Sequence, residues 1–197
     1  MVVTVEDRLT EVGPVFRWSD AREAGLSDPV LYGLVEAGRV ERLSHGLYRR
    51  ADVEVVDLDL VIVAAAQPRA TLCLTSALAR HDLTDQIPTR IDLALPRGTR
   101  RPKLDSPVQW HHFAVATFDL GRDVIDLDAG FTIGLYSAER SIVDAYRLRH
   151  LEGDELGREA LKTWLRRRGS QPSKLLELAG SFPKALGRLR EDLRVLL

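Results

Sequence analysis

The chain has 197 residues, 45% of them hydrophobic, enough to bury a core and suited to one large domain or two small ones; two are expected. Its 28 basic and 29 acidic side chains leave a formal charge of −1, so no global field draws it to nucleic acid and any such affinity must come from local segregation of charge. The lone cysteine, Cys73 in TLCL, excludes a disulfide framework and a cysteine-based zinc site.

The opening MVVTVEDRLT carries acids where a signal peptide needs a basic flank, and no run approaches the roughly 18 apolar residues of a membrane span, so a cytoplasmic protein with no membrane partner is expected. The segment SDAREAGLSDPVLYGLVEAG then reads as two helices. Ser19 is placed to cap the first, Asp20 sits at its positive end, and Gly25 falls where a left-handed residue closes a helix. A three-residue turn leads to Asp28 as second N-cap, with Pro29 at the first helical position and the helix running to Gly38. Leu31, Leu34 and Val35 share one face; Pro29, Tyr32, Gly33 and Glu36 share the other. This division suits a helix that docks inward and reads a DNA groove outward.

In RVERLSHGLYRR, β-prone Val40 to Leu43 and Leu47 to Tyr48 flank a Ser44-His45-Gly46 turn. A hairpin after a reading helix is a wing, and Arg39, Arg42, Arg49 and Arg50 supply cations for phosphates, with His45 at the tip. The DNA-binding candidates are therefore Tyr32, Arg39, Arg42, His45, Arg49 and Arg50. Asp28 and Glu36 place negative charge on the reading helix, and residues 1–52 hold seven basic against nine acidic side chains. Affinity is accordingly expected to rest on the wing and on cations elsewhere. A dimerisation or protein-docking module is the competing use of such a segment.

The expected fold is α+β: a winged helix-turn-helix over residues 1–52, then residues 53–197 as an α+β domain with a small, mainly antiparallel sheet and C-terminal helices. The acidic stretch Asp52 to Asp59 marks the junction. Beyond it, IDLALP, VQWHHFAVATF, DVIDL and FTIGLY read as strands among two helical segments. Ser137 is placed to cap AERSIVDAYRLR, Asp154 a helix ending at Gly169, and Ser173 KLLELA. Leu186, Leu189, Leu193 and Leu196 form one apolar stripe that needs a partner surface.

Two basic patches lie in this second part. PRGTRRPK holds Arg97, Arg100, Arg101 and Lys103 without an acid and is expected to be an exposed loop between strands. From Lys162 to Lys174 there are five cations and no acid, Arg166, Arg167 and Arg168 closing a helix. Cations in a last turn complement the helix dipole without any ligand, so this patch reads equally as structure or as a second surface toward DNA or RNA.

No catalytic constellation emerges, and no cofactor or metal site is assigned. His111 and His112 are adjacent on a strand and point to opposite faces. Asp119, Asp123, Asp126 and Asp128 lack a calcium-loop pattern. No Walker A, G-x-G-x-x-G or G-x-S-x-G string occurs. Asp92 has the place of a nuclease's first acid, but no E-x-K follows. Cys73 is expected to be a buried thiol with a raised pKa, and Trp18, Trp110 and Trp164 core anchors.

The ordered set LVEAGRVERLSHGLYRR, LCLTSALARHDLTDQIP, IDLALPRG and SAERSIVDAYRLRH resembles the AbiEi family of antitoxins from type IV toxin–antitoxin, or abortive-infection, systems. The resemblance implies an N-terminal domain that binds promoter DNA and represses its own operon, a C-terminal domain with antitoxin activity, and a nucleotidyltransferase-like toxin counteracted without a required stable complex. By the same resemblance Arg39, Arg42, His45, Arg49 and Arg50 fall on the family's wing. A stand-alone winged-helix regulator and a protein module that masks a toxin directly are the competing functions.

Overall fold

The computed structural model describes residues 4–197, so the first three residues of the opening segment lie outside it. The chain folds as two compact units: one runs to Pro68 and includes Asp126–Thr132, the other holds Arg69–Ile125 and Ile133–Leu197.

The first unit opens with α1 (Val5–Glu11), fixed by a capping box: Asp7 N–H donates to Thr4 Oγ1 (3.2 Å) and Thr4 N–H to Asp7 Oδ2 (2.8 Å). There follow β1 (Val15–Arg17), α2 (Trp18–Glu23), α3 (Asp28–Glu36), β2 (Val40–Ser44), β3 (Leu47–Arg50) and α4 (Leu58–Ala66). Ser19 is inside α2 instead of capping it; Asp20 Oδ2 reaches back and accepts the Arg17 N–H at 2.8 Å. Asp28 is likewise the first helical residue of α3, after Ser27, and the helix stops at Glu36 with Gly38 left-handed beyond it (φ 68°). At Gly25 (φ 81°) a Cβ would collide with the Arg8 guanidinium, which donates to the Gly25 carbonyl.

β1, β3 and β2 form an antiparallel sheet in that order. Its face and the helices close around Leu9, Phe16, Ala21, Leu26, Leu31, Val40 and Tyr48, with the rings of Phe16 and Tyr48 stacked at 5.9 Å. Each such large side chain removed from water contributes roughly 1.5–3 kcal/mol. Leu34 and Val35 pack on this core as the α3 periodicity predicts.

The second unit contains β4 (Thr71–Leu72), α5 (Leu74–Arg80), β5 (Ile91–Pro96), β6 (Val108–Phe113), α6 (Val115–Phe118), β7 (Arg122–Asp126), β8 (Thr132–Tyr136), α7 (Ala138–Arg147), α8 (Arg149–Glu152), α9 (Asp154–Leu165), α10 (Pro172–Gly180) and α11 (Pro183–Leu196). The α+β class and element order agree with the sequence reading, but the strand directions differ. In the order β6-β5-β4-β8-β7, β4 pairs antiparallel with β5, whereas β4·β8 and β5·β6 are parallel. Neighbouring parallel strands need a long return, and the proline-bearing residues 97–107, expected as an exposed loop between strands, provide it. The run VQWHHFAVATF also breaks: its end is α6, where Phe118 is fully buried and its carbonyl accepts the Tyr136 hydroxyl at 2.8 Å.

Ser137 caps α7 as expected, its hydroxyl accepting the Arg140 N–H. Asp154 and Ser173 instead lie inside their helices, after Gly153 and Gln171, and α9 ends at Leu165, so Arg166–Arg168 follow the helix and do not form its last turn. The leucine stripe of α11 finds its partner surface: Leu189 and Leu193 are buried with Ile142, Tyr146, Leu161, Trp164, Leu175 and Phe182, and Leu186 and Leu196 pack against them. Arg140 is also fully buried, its guanidinium over the rings of Tyr136 (4.2 Å) and Phe182 (4.4 Å).

Candidate nucleic-acid interface

On α3 the split between faces is realised. Leu31 is buried, while Pro29, Tyr32, Gly33 and Glu36 face solvent, Tyr32 with 59% of its surface accessible. The acid at the start of this helix is engaged within the first unit. Trp18 Nε1 donates to Asp28 Oδ1 at 3.1 Å, and Arg22, stacked on the Trp18 indole, lies 3.9 Å from the same oxygen. The negative end presented by Asp28 is thereby partly neutralised. Trp18 is accordingly a half-exposed bracket and not a core anchor.

The hairpin β2–β3 turns at His45-Gly46, Gly46 left-handed at φ 71°, which places exposed His45 at the tip. The arginines expected to meet phosphates are held by carboxylates. Arg39 donates to both oxygens of Glu6 (2.8 and 3.0 Å), Arg49 to Glu41 (2.6 Å), and Arg50 in a two-point contact to Asp52 (3.1 and 2.7 Å). The hydrogen bond from Arg50 holds the Asp52 carboxyl below the usual range. Arg42 differs: it is exposed and its contacts among the described residues are the Ser44 carbonyl and His45 Nδ1, each at 3.4 Å, with no carboxylate. The carboxylates are the exposed ends of these pairs, whereas the Arg49 and Arg50 side chains are only 22% and 19% accessible, so a phosphate would have to displace each carboxylate to reach its arginine. Sequence reasoning missed Glu6, Glu41 and Asp52. Counting back from the turn would set Glu41 opposite Arg50; a register shift between Arg42 and Ser44 brings it opposite Arg49 instead.

In the second unit Arg97, Arg100, Arg101 and Lys103 are exposed on the 97–107 return. Of the arginine triplet, Arg166 and Arg168 are exposed, whereas Arg167 donates to the His81 and Asp82 carbonyls and ties residues 81–82 to the end of α9.

The residues set aside as catalytic also have structural partners. His111 Nε2 lies 2.9 Å from Asp92 Oδ1, so the acid in the nuclease-like position is paired with a histidine; Ser76 Oγ accepts the Asp92 N–H. His112 is exposed and contacts the Thr99 carbonyl. Cys73 is fully buried, and burial, then the charges of Asp92 and Asp144, push its thiol well up. Trp164 is a core residue, but Trp110 is only half-buried, because β6 is an edge strand.

Residues 6–51 match the family model described as "Transcriptional regulator, AbiEi antitoxin", and this N-terminal region is where the sequence resemblance placed the DNA-binding domain. No curated protein matches the chain. Among solved structures, the Rv2827c protein from Mycobacterium tuberculosis superposes with a TM-score of 0.52 at 19% identity, over 93% of this chain and 75% of that one. At that identity the likeness concerns the fold alone. No helix of the described residues is long and apolar enough to cross a membrane.

Proposed function

We propose that this protein is the antitoxin of a type IV toxin–antitoxin system, binding its own promoter as an autorepressor and counteracting a nucleotidyltransferase-like toxin without catalysing a reaction itself. The observation that carries the reading is the match of residues 6–51 to the AbiEi regulator model on a segment folded as three short helices and a wing. In this reading Tyr32 on α3 faces the major groove, while Arg42 and His45 at the wing tip lead the approach to phosphates. Arg39, Arg49 and Arg50 join by exchanging carboxylate for phosphate. A DNA-binding segment ending at about residue 52, inside the first compact unit, and a cytoplasmic location belong to the same proposal.

Two experiments test it. In an electrophoretic shift assay the full chain retains a duplex from its own upstream region at salt concentrations that release a scrambled duplex of equal length. Co-expression with the adjacent gene restores growth that the gene alone arrests. DNA binding without rescue would leave a stand-alone regulator, and rescue with a copurifying complex would favour direct masking.

A further inference from the structure

The second unit contains a cleft of about 560 Å³ between edge strand β6 and the helices α7, α8 and α11. Its walls carry Arg97, Arg147, Lys184, His112 and His150, and no aspartate or glutamate lines it. In a chain with one more acid than base, such segregation marks a site for a negative ligand. The patch seen in the sequence is only partly the same, since Arg100, Arg101 and Lys103 are not on the wall.

Three features make it more than a basic surface. Arg147 is set before any ligand arrives: its guanidinium stacks on Phe113 (4.2 Å), and its Nη2, buried like its Nε, ion-pairs at 2.9 Å with fully buried Asp144. Lys184 lies in the first turn of the fourteen-residue α11, whose N-terminus has no side-chain cap, so the helix dipole adds to the ammonium charge. Half-buried Trp110 supplies an aromatic surface beside these cations. A planar guanidinium, a point charge and an indole together answer the needs of a phosphate joined to a nucleobase. The volume falls within the range of small-ligand sites.

We propose that this cleft binds a nucleotide, its phosphate held by Arg147, Lys184 and Arg97 and its base against Trp110. The proposal does not depend on operator binding by the first unit. Calorimetric titration of the full chain with ATP, adenosine and inorganic phosphate tests it, alongside an Arg97→Glu/Lys184→Glu variant whose two side chains are exposed and whose melting temperature verifies folding. Lys184→Ala serves as a milder second variant. ATP is expected to bind, phosphate to compete, adenosine to bind at least tenfold more weakly, and the double variant to lose at least tenfold. A single-stranded 5′-phosphorylated oligonucleotide that binds more tightly than ATP, with the same loss in the variant, assigns the nucleotide to a strand end; weaker binding assigns it to a free nucleotide. No ATP binding, equal binding by adenosine, or equal binding by the folded variants overturns the proposal.

Discussion

Arg49 Nη2 lies 2.6 Å from Glu41 Oε2, and the two residues stand directly opposite each other across the wing hairpin. Opposed charges on neighbouring strands stabilise a hairpin by a few tenths of a kcal/mol to about 1 kcal/mol. If the wing meets DNA as proposed, the same contact keeps a cation away from it. Glu41→Gln releases Arg49 and removes a repulsive charge, so operator affinity should rise. If Arg49 gains a phosphate contact, the slope of log K against log salt should steepen by about 0.9. Shift assays across a salt series read both quantities; a variant with unchanged affinity and slope would mean that Arg49 stays away from the backbone.

Arg42 provides the converse case, a wing cation that meets the Ser44 carbonyl and His45 where the others meet carboxylates. Arg42→Ala should weaken binding to all duplexes alike and lower the salt slope by about 1, because a phosphate contact carries no base information. Stability should change by no more than about 0.5 kcal/mol, as for other exposed positions. Selective loss on the operator, with other duplexes unaffected, would place Arg42 on a base edge instead.

The winged segment is legible in sequence because its signals are local. Left-handed Gly38 and Gly46, Pro29 and the Leu31, Leu34, Val35 spacing all act within a few residues of one another. The caps are misjudged, by two residues at α2, where Arg17 precedes the helix and Asp20 accepts its N–H, and by one at α3, where Ser27 precedes Asp28. The second unit is less legible because its decisive contacts are distant. The parallel pairing of Thr71–Leu72 with Gly134–Leu135 joins segments about sixty residues apart, and nothing near either one states the direction. The cleft assembles in the same way, from Arg97, Arg147 and Lys184 on three separate elements. Arg140 is the clearest case: in SAERSIVDAYRLR it reads as a solvated charge, and only Phe113, Tyr136 and Phe182, brought together by folding, make it a buried one.

That burial yields a stability prediction. Arg140 Nε donates to Asp144 Oδ2 at 3.0 Å with both side chains fully inaccessible, and its Nη1 donates to the Thr117 and Leu120 carbonyls. Arg140→Met retains much of the volume but strips the Thr117 and Leu120 carbonyls and one oxygen of a buried carboxylate of their partner. Breaking a buried pair from one side costs about 3–5 kcal/mol. Asp144 keeps Arg147 as a partner at 2.9 Å, so the two losses should fall short of additive, Asp144→Asn costing less once Arg140 is gone. Urea unfolding followed by the fluorescence of buried Trp164 measures the cycle; strictly additive losses would show that Arg140 acts through its ring contacts alone.

Acid sensitivity is expected from Asp192, which joins α11 to the rest of the helical core. Burial works to raise its carboxyl, but the Tyr146 hydroxyl donating at 2.9 Å and Arg158 at 3.4 Å outweigh it and hold the group below the usual carboxylate range. A carboxyl with a lowered pKa in the folded state contributes stability that is complete above its unfolded value of about 3.9 and is lost as pH falls through the folded value. Asp192→Asn should therefore cost about 1–3 kcal/mol near neutral pH, the range for hydrogen bonds to a charged group. The difference in melting temperature between the two proteins should be constant from pH 7 to about 5 and shrink below about 4. A difference that persists undiminished to pH 3 would mean that Asp192 supports the core by packing and not by its charge.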